Sequence, residues 1–235
     1  MCISNYKSKT KIIIFNNNKI FLKNFLKHFK NKKKNNVGLT GGKSWPKKYR
    51  LLKNFKNWNK NYFFLTDERN VSYLSSNSNY KQLKNFFKKE NFKNILISKN
   101  IKKNLQSFNE SIKSPDINLI SIGEDGHIFS WFREDIKKIE NLKKKSLIIN
   151  RDDFLRYSIS LKVLKKKTKN LLLVDKLSKI EIFEKIFIKS RRLMYPSDLI
   201  FIKEIYMSNF FFEKLIKKNY KYLNIIKKKF IIKNF

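Results

Sequence analysis

Residues 117–127 read Ile117-Asn118-Leu119-Ile120-Ser121-Ile122-Gly123-Glu124-Asp125-Gly126-His127, an apolar run stopped by glycine and followed by carboxylates, a second glycine and one of the chain's two histidines. A short apolar run bounded by a glycine turn predicts a buried strand, here over Asp116 to Ile122. The residues after it then form a loop at the strand's carboxyl end, where open α/β sheets bind their ligands. The other three of the five glycines lie in Val37-Gly38-Leu39-Thr40-Gly41-Gly42. A chain so poor in glycine uses it where the backbone needs positive φ or close approach. Gly38, inside a strand, serves close packing.

Working outward, Lys11 to Phe15, Val37 to Thr40 and Tyr62 to Thr66 read as further strands, with later ones at Ser146 to Ile149, Tyr157 to Leu161, Leu171 to Val174 and Ile200 to Ile205. Helical spacing of Ile20, Phe21, Phe25 and Phe29 predicts a helix over about residues 18 to 33. Others carry Tyr49, Leu51, Leu52 and Phe55, then Tyr80, Leu83, Phe86 and Phe87, and a further one spans Leu177 to Lys189. This alternation predicts an α/β fold with a Rossmann-like, mostly parallel central sheet flanked by helices on both faces. There is neither an internal repeat nor a linker, so residues 1–235 are expected to form a single domain, with 217–235 a basic, amphipathic C-terminal extension.

Hydrophobic residues make up 41% of the chain and include 22 Phe, enough for a core and contrary to a disordered protein. The formal net charge of +37 comes from 55 Lys and Arg against 18 Asp and Glu. Such an excess ordinarily points to nucleic acid or an anionic surface. Here it is spread along the whole chain and accompanied by abundant Asn, Ile and Phe, the pattern of AT-rich codons. Composition therefore explains it better than a specific nucleic-acid partner. Cys2 is the only cysteine, which excludes an intramolecular disulfide and a cysteine-rich metal site. No apolar run reaches the roughly 18 residues of a membrane span. The first acidic residue is Asp67, but Lys rather than Arg charges the opening segment, and a signal-peptide pattern is missing. A cytoplasmic protein is expected, monomeric or a small homo-oligomer, with no membrane partner.

Three strand-end loops carry the polar chemistry. Gly41-Gly42-Lys43-Ser44 at a helix N-terminus offers free N–H groups, a dipole and a hydroxyl for an anion, or forms a tight structural turn. Ser44 is expected to cap the helix, with Trp45 and Pro46 in its first turn. The spacing is not that of a nucleotide-binding P-loop. Asp67-Glu68-Arg69 either orients a polar ligand or forms a surface ion cluster. In Asp125-Gly126-His127 a carboxylate can orient an imidazole that takes a proton from water. His28, among lysines on a helix, reads as a surface or packing residue without a role.

Leu39 to Ser44, Phe63 to Arg69 with Ser78-Asn79-Tyr80, and Leu119 to Phe132 together resemble the 6-phosphogluconolactonase branch of the glucosamine-6-phosphate isomerase/6-phosphogluconolactonase family. The resemblance continues through Arg156 to Ser160, Lys179 and Pro196 to Leu199, covering about residues 35 to 205. It implies hydrolysis of 6-phospho-D-glucono-1,5-lactone in the oxidative pentose phosphate pathway, without metal or organic cofactor. In that pattern Gly41, Gly42, Lys43, Ser44, Arg156 and Lys179 hold the phosphate. Arg69 holds the sugar acid or steadies the oxyanion, and His127 is the general base, oriented by Asp125. Asp67 counts among the substrate-binding residues, and with Glu68 it shapes the site.

The amino-sugar-phosphate deaminase branch shares Gly123 to Ile128 but places a glutamate five positions after the histidine, where this chain has Phe132. The chain departs from the lactonase pattern too. Lys43-Ser44-Trp45 replaces Ser-Thr-Pro, and Ser121 and Lys176 stand where glycines are usual. The alternatives are a deaminase, a drifted homologue of low activity and a basic nucleic-acid-binding protein.

Overall fold

In a computed structural model of the chain, residues 9–30, 33–42, 44–92, 97–189 and 194–234 are described. The first half runs through β1 (Lys11–Phe15), α1 (Asn18–Phe25), β2 (Asn36–Leu39), α2 (Trp45–Leu52), α3 (Lys56–Asn59), β3 (Tyr62–Leu65), β4 (Asp67–Arg69), α4 (Asn79–Leu83) and α5 (Ile101–Ser111). It continues with β5 (Ile117–Ile120), α6 (Ile136–Asn141), β6 (Ser146–Asn150), β7 (Leu155–Ile159), β8 (Lys169–Val174), α7 (Ile180–Phe183), β9 (Ile202–Ser208), α8 (Asn209–Lys218), α9 (Lys221–Lys229) and β10 (Ile231–Asn234). The expected strands are met with ends shifted by a few residues, whereas the helix expected over residues 18 to 33 is α1 followed by a 3₁₀ turn at Leu26–Phe29, with residues 31 and 32 outside the described ones, and that over Leu177 to Lys189 is α7 between a 3₁₀ turn at Leu177–Lys179 and a π turn at Glu184–Ile188.

Among the described residues the central sheet has seven strands in the order β10-β1-β9-β8-β5-β2-β3, and every neighbouring pair is parallel. Every residue of β5 is buried. Successive side chains point to opposite faces, so both faces of the sheet are covered there, which is why its apolar run is continuous rather than alternating. From β2 the chain goes to β3 on one side and later to β5 on the other. That reversal opens a crevice at the carboxyl ends of β2 and β5.

The strands at Ser146–Asn150 and Leu155–Ile159 do not join this sheet. They form a second, antiparallel one in the order β4-β7-β6. Asp67-Glu68-Arg69, expected as a loop, is therefore an edge strand of that sheet. Residues 217–235, expected as an extension, contribute α9 and β10. Tyr222 and Ile226 of α9 are buried, and β10 pairs parallel with β1 from Lys11↔Ile231 to Ile14↔Asn234. The basic face of the helix points outward because its apolar stripe is already used.

An aromatic cluster fills the space beside β2. The Trp45 and Tyr49 rings stack at 5.8 Å and 10°, and Phe25 lies 5.6 Å from Trp45. Trp45 is fully buried and its indole N–H donates to the Ile120 carbonyl at 2.8 Å. It fills the core rather than the crevice.

Candidate active site

β8, β5, β2 and β3 are neighbours, and their carboxyl ends open into one cleft of about 450 Å³. Gly41, Gly42 and Ser44 reach it from the end of β2, and Lys176 and Lys179 from the end of β8. Ser44 has helical backbone angles and makes no capping bond, contrary to expectation. Its hydroxyl instead lies 3.3 Å from the Lys179 ammonium. Burial pushes Lys179 down to about 8, against the pull of Asp175. Lys43 lies outside the described residues. A buried cation, a hydroxyl and a helix N-terminus converge here, which is the composition of an anion site.

Gly41 serves a purpose beyond opening its N–H. A Cβ there would overlap the Asn79 side chain. Asn79, which the sequence reading did not single out as a site residue, donates to the Asp67 carbonyl at 2.9 Å and accepts from Arg69 at 3.3 Å. It locks the β2 loop to β4.

β4 supplies Asp67 and Arg69 to the floor, while Glu68 between them faces away from the cleft. The Glu68 carboxylate accepts the backbone N–H groups of Arg69, Asn79 and Tyr80, each at 2.8 Å, and the Ser78 hydroxyl at 3.2 Å. Burial pushes this carboxyl up to about 7 against those donors. Glu68 thus anchors the start of α4. Asp67 is buried, accepts from the Ser130 hydroxyl at 3.0 Å and keeps one oxygen without a partner. Burial raises its pKa despite Ser130 and the charges of Arg69, His127 and Arg156.

The register Arg69↔Arg156 sets two guanidinium groups side by side. Arg69 donates to the Asn77 carbonyl at 2.7 Å and Arg156 to Asp153 at 2.5 Å, while the Nε of each is buried and unpartnered. Two such donors beside an unpartnered carboxylate oxygen suit a ligand that brings both acceptors and a hydroxyl.

The loop after β5 presents His127. Its Nδ1 lies 2.6 Å from Asp125 Oδ1, and the same oxygen accepts the His127 backbone N–H at 3.2 Å. A Cβ at Gly123 would collide with both side chains, so glycine is needed beneath the pair. Burial works to raise the Asp125 carboxyl, but the His127 hydrogen bond and charge outweigh it and hold it at about 2. An ionised carboxylate only accepts, so Nδ1 carries the proton and Nε2 is left as a lone-pair acceptor in the neutral ring. Phe129, also on the cleft wall, has φ 54°, a strained value for a residue with a Cβ. Ser121, where the lactonase pattern has glycine, adds a hydroxyl to the wall.

Gly41, Gly42, Ser44, Asp67, Arg69, His127, Arg156 and Lys179 all line this one cleft, and Asp125 touches it through His127. Asn79 carried a signal only as part of the Ser78-Asn79-Tyr80 stretch that resembles the lactonase pattern. Phe129 carried none.

A parallel sheet with a glycine turn, a buried lysine and a histidine bonded to a carboxylate at the same edge defines an α/β protein whose cleft suits a small polar ligand. The profile of the glucosamine-6-phosphate isomerases/6-phosphogluconolactonase family matches residues 16–207, and the chain belongs to that family. A probable 6-phosphogluconolactonase of Dictyostelium discoideum is 33% identical over 115 residues, 41% of this chain and 48% of that relative. The chain thus matches about half the length of that relative. The crystal structure of 6-phosphogluconolactonase from Thermotoga maritima superposes with a TM-score of 0.69 at 22% identity, covering 85% of this chain and 99% of that one. A monomeric glucosamine-6-phosphate deaminase superposes with a TM-score of 0.68 at 15% identity, over 88% of this chain and all of that one. These likenesses concern the fold, which both branches share.

Among the described residues no helix is long and apolar enough to cross a membrane.

Proposed function

We propose that the protein hydrolyses 6-phospho-D-glucono-1,5-lactone to 6-phosphogluconate, the lactone-opening step of the oxidative pentose phosphate pathway. The observation that carries this reading is the Asp125–His127 pair, 2.6 Å apart, in the same cleft as the Ser44–Lys179 anion end. The phosphate lies against the Gly41–Gly42 turn, Ser44, Lys179 and Arg156, and the lactone carbonyl lies toward His127. Nε2 takes a proton from water as the oxygen attacks the carbonyl carbon. Arg69 stabilises the oxyanion. When the tetrahedral intermediate collapses, the ester C–O bond breaks and the imidazolium returns its proton to the departing ring oxygen. The products are a carboxylic acid, which ionises, and a free hydroxyl.

A lactone is an activated ester, so one base, positioning and oxyanion stabilisation suffice. Deamination needs a further acid–base group to open the amino sugar. The position that would supply it is Phe132, which packs on His127 and cannot relay a proton. Purified protein should accelerate lactone hydrolysis over the spontaneous rate, and His127→Ala should lose about 10²- to 10⁴-fold of that gain. Equal rates for the two proteins would overturn the mechanism. Release of ammonia from glucosamine 6-phosphate would favour the deaminase reading instead.

A further inference from the structure

His127 is held on one side by Asp125, whose side chain is more than half exposed on the same loop. One hydrogen bond from an exposed loop is a weak restraint on an imidazole, and a second contact supplies what it lacks. The Phe132 ring lies against His127, centroids 4.8 Å apart and planes 35° from each other. Phe132 is itself covered by the Arg151 guanidinium, whose Cζ is 4.2 Å from the ring centroid, with Arg156 Cζ at 5.4 Å. Arg151 follows β6 and is tied down by Asp135 at 2.5 Å and Glu134 at 3.2 Å. Those carboxylates belong to the turn that starts directly after Phe132. The result is a closed loop of contacts, from the Phe132 backbone through Asp135 to Arg151 and back onto the Phe132 ring.

We propose that Arg151 and Phe132 are positioning residues for His127: Arg151 clamps the Phe132 ring, and the ring fixes the imidazole so that Nδ1 stays on Asp125 and Nε2 stays free. This rests on the reading of His127 as the base. An apolar ring thus covers one face of the imidazole, and the Arg151 and Arg156 guanidinium groups stand beyond that ring. The other charged groups facing His127 are Asp125 on its own loop, Asp67 and Arg69 from β4, Arg156 from β7, and Glu124, Lys176 and Lys179 around the cleft. Arg151 is not among the residues lining the cleft. Its replacement therefore leaves the side chains that line the cleft in place.

The test uses Arg151→Met, Arg151→Lys and Phe132→Leu in the full chain. Only two histidines are present, so the ring proton signals of His28 and His127 can be followed separately by NMR. Met at 151 and Leu at 132 should each lower kcat roughly tenfold with KM within about twofold, as expected for a misaligned base. The acid limb of kcat/KM and the midpoint of the His127 signal should both move up by about 0.5 pH unit, while Lys at 151 stays near wild type. A merely structural contact would lower Tm and leave the limb and the midpoint in place, which would overturn the proposal. So would a loss confined to KM. Arg151 is partly exposed, so its Met variant tests the idea even if Phe132→Leu fails to fold. If the wild type hydrolyses no lactone, the functional reading fails, while the NMR midpoints still decide whether Arg151 and Phe132 govern His127.

Discussion

Arg69 and Arg156 stand directly opposite each other across the antiparallel β4–β7 pair, each with a buried Nε–H that meets no acceptor. Like charges in that relation destabilise a sheet. Asp67 offsets part of the repulsion, but its carboxyl is raised by burial and its remaining oxygen is unpartnered. The pair makes physical sense as a site completed by an anionic ligand.

Inorganic phosphate is accordingly expected to raise Tm. A ligand at 100 times its Kd adds about 2.7 kcal/mol. In Arg156→Gln the phosphate-dependent rise should shrink by roughly half or more, because one of the two facing charges is gone. Differential scanning calorimetry across a phosphate series, at fixed ionic strength, measures it. An undiminished rise in the variant would place the anion elsewhere.

Lys179 predicts an alkaline limit on binding. Burial depresses its pKa to about 8, so its charge is full well below that pH and is lost as pH rises through it. KM should therefore climb above about pH 8 while kcat changes little. Arginine stays protonated throughout this range, so Lys179→Arg should flatten the limb even if its absolute KM is higher. Steady-state kinetics from pH 6 to 10 decides between these outcomes.

The parallel sheet was legible because its strands are short apolar runs punctuated by the few glycines, and the strand-end rule then located the cleft. The second sheet was not legible. Its edge is Asp67-Glu68-Arg69, three charges that look like a loop until Ser130, Asn79 and the start of α4 supply hydrogen-bond partners from distant segments. Trp45 departs from the lactonase pattern, and only the fold shows where its indole goes: the Ile120 carbonyl and the aromatic cluster draw it into the core. β10 pairs with β1 from the far end of the chain, so no local pattern marks it as part of the sheet.

Gly41 supports a packing prediction. Alanine there must displace Asn79, which bridges the β2 loop to Asp67 and Arg69. Gly41→Ala should cost about 1–3 kcal/mol in urea unfolding and raise KM, because the anion loop and the arginine floor move together. Gly41→Ala combined with Asn79→Gly relieves the overlap and should recover part of the stability but not KM. Recovery of both would mean that Asn79 has no part in the site.

His28, read in the sequence as a surface or packing residue without a role, is half-buried and bonded through Nε2 to Glu204 at 3.0 Å, with the Tyr206 hydroxyl 2.7 Å from the same carboxylate. Lys27 approaches the other oxygen at 3.6 Å. Burial works to raise Glu204, but the His28 bond, the Tyr206 bond and these charges hold it at about 2. A carboxyl depressed in the fold adds stability that is present above its ordinary value of 4.5 and lost as pH falls through about 2. Glu204 pairs with Lys11, the first residue of β1, at the edge of the sheet opposite the cleft. His28→Leu should thus remove roughly 2–4 kcal/mol by leaving a buried carboxylate short of a partner. It should also shift acid unfolding to higher pH while leaving kcat and KM unchanged. Urea titrations at pH 4, 5 and 7 with parallel kinetics test this, and a loss of activity without a loss of stability would show that the cluster communicates with the site.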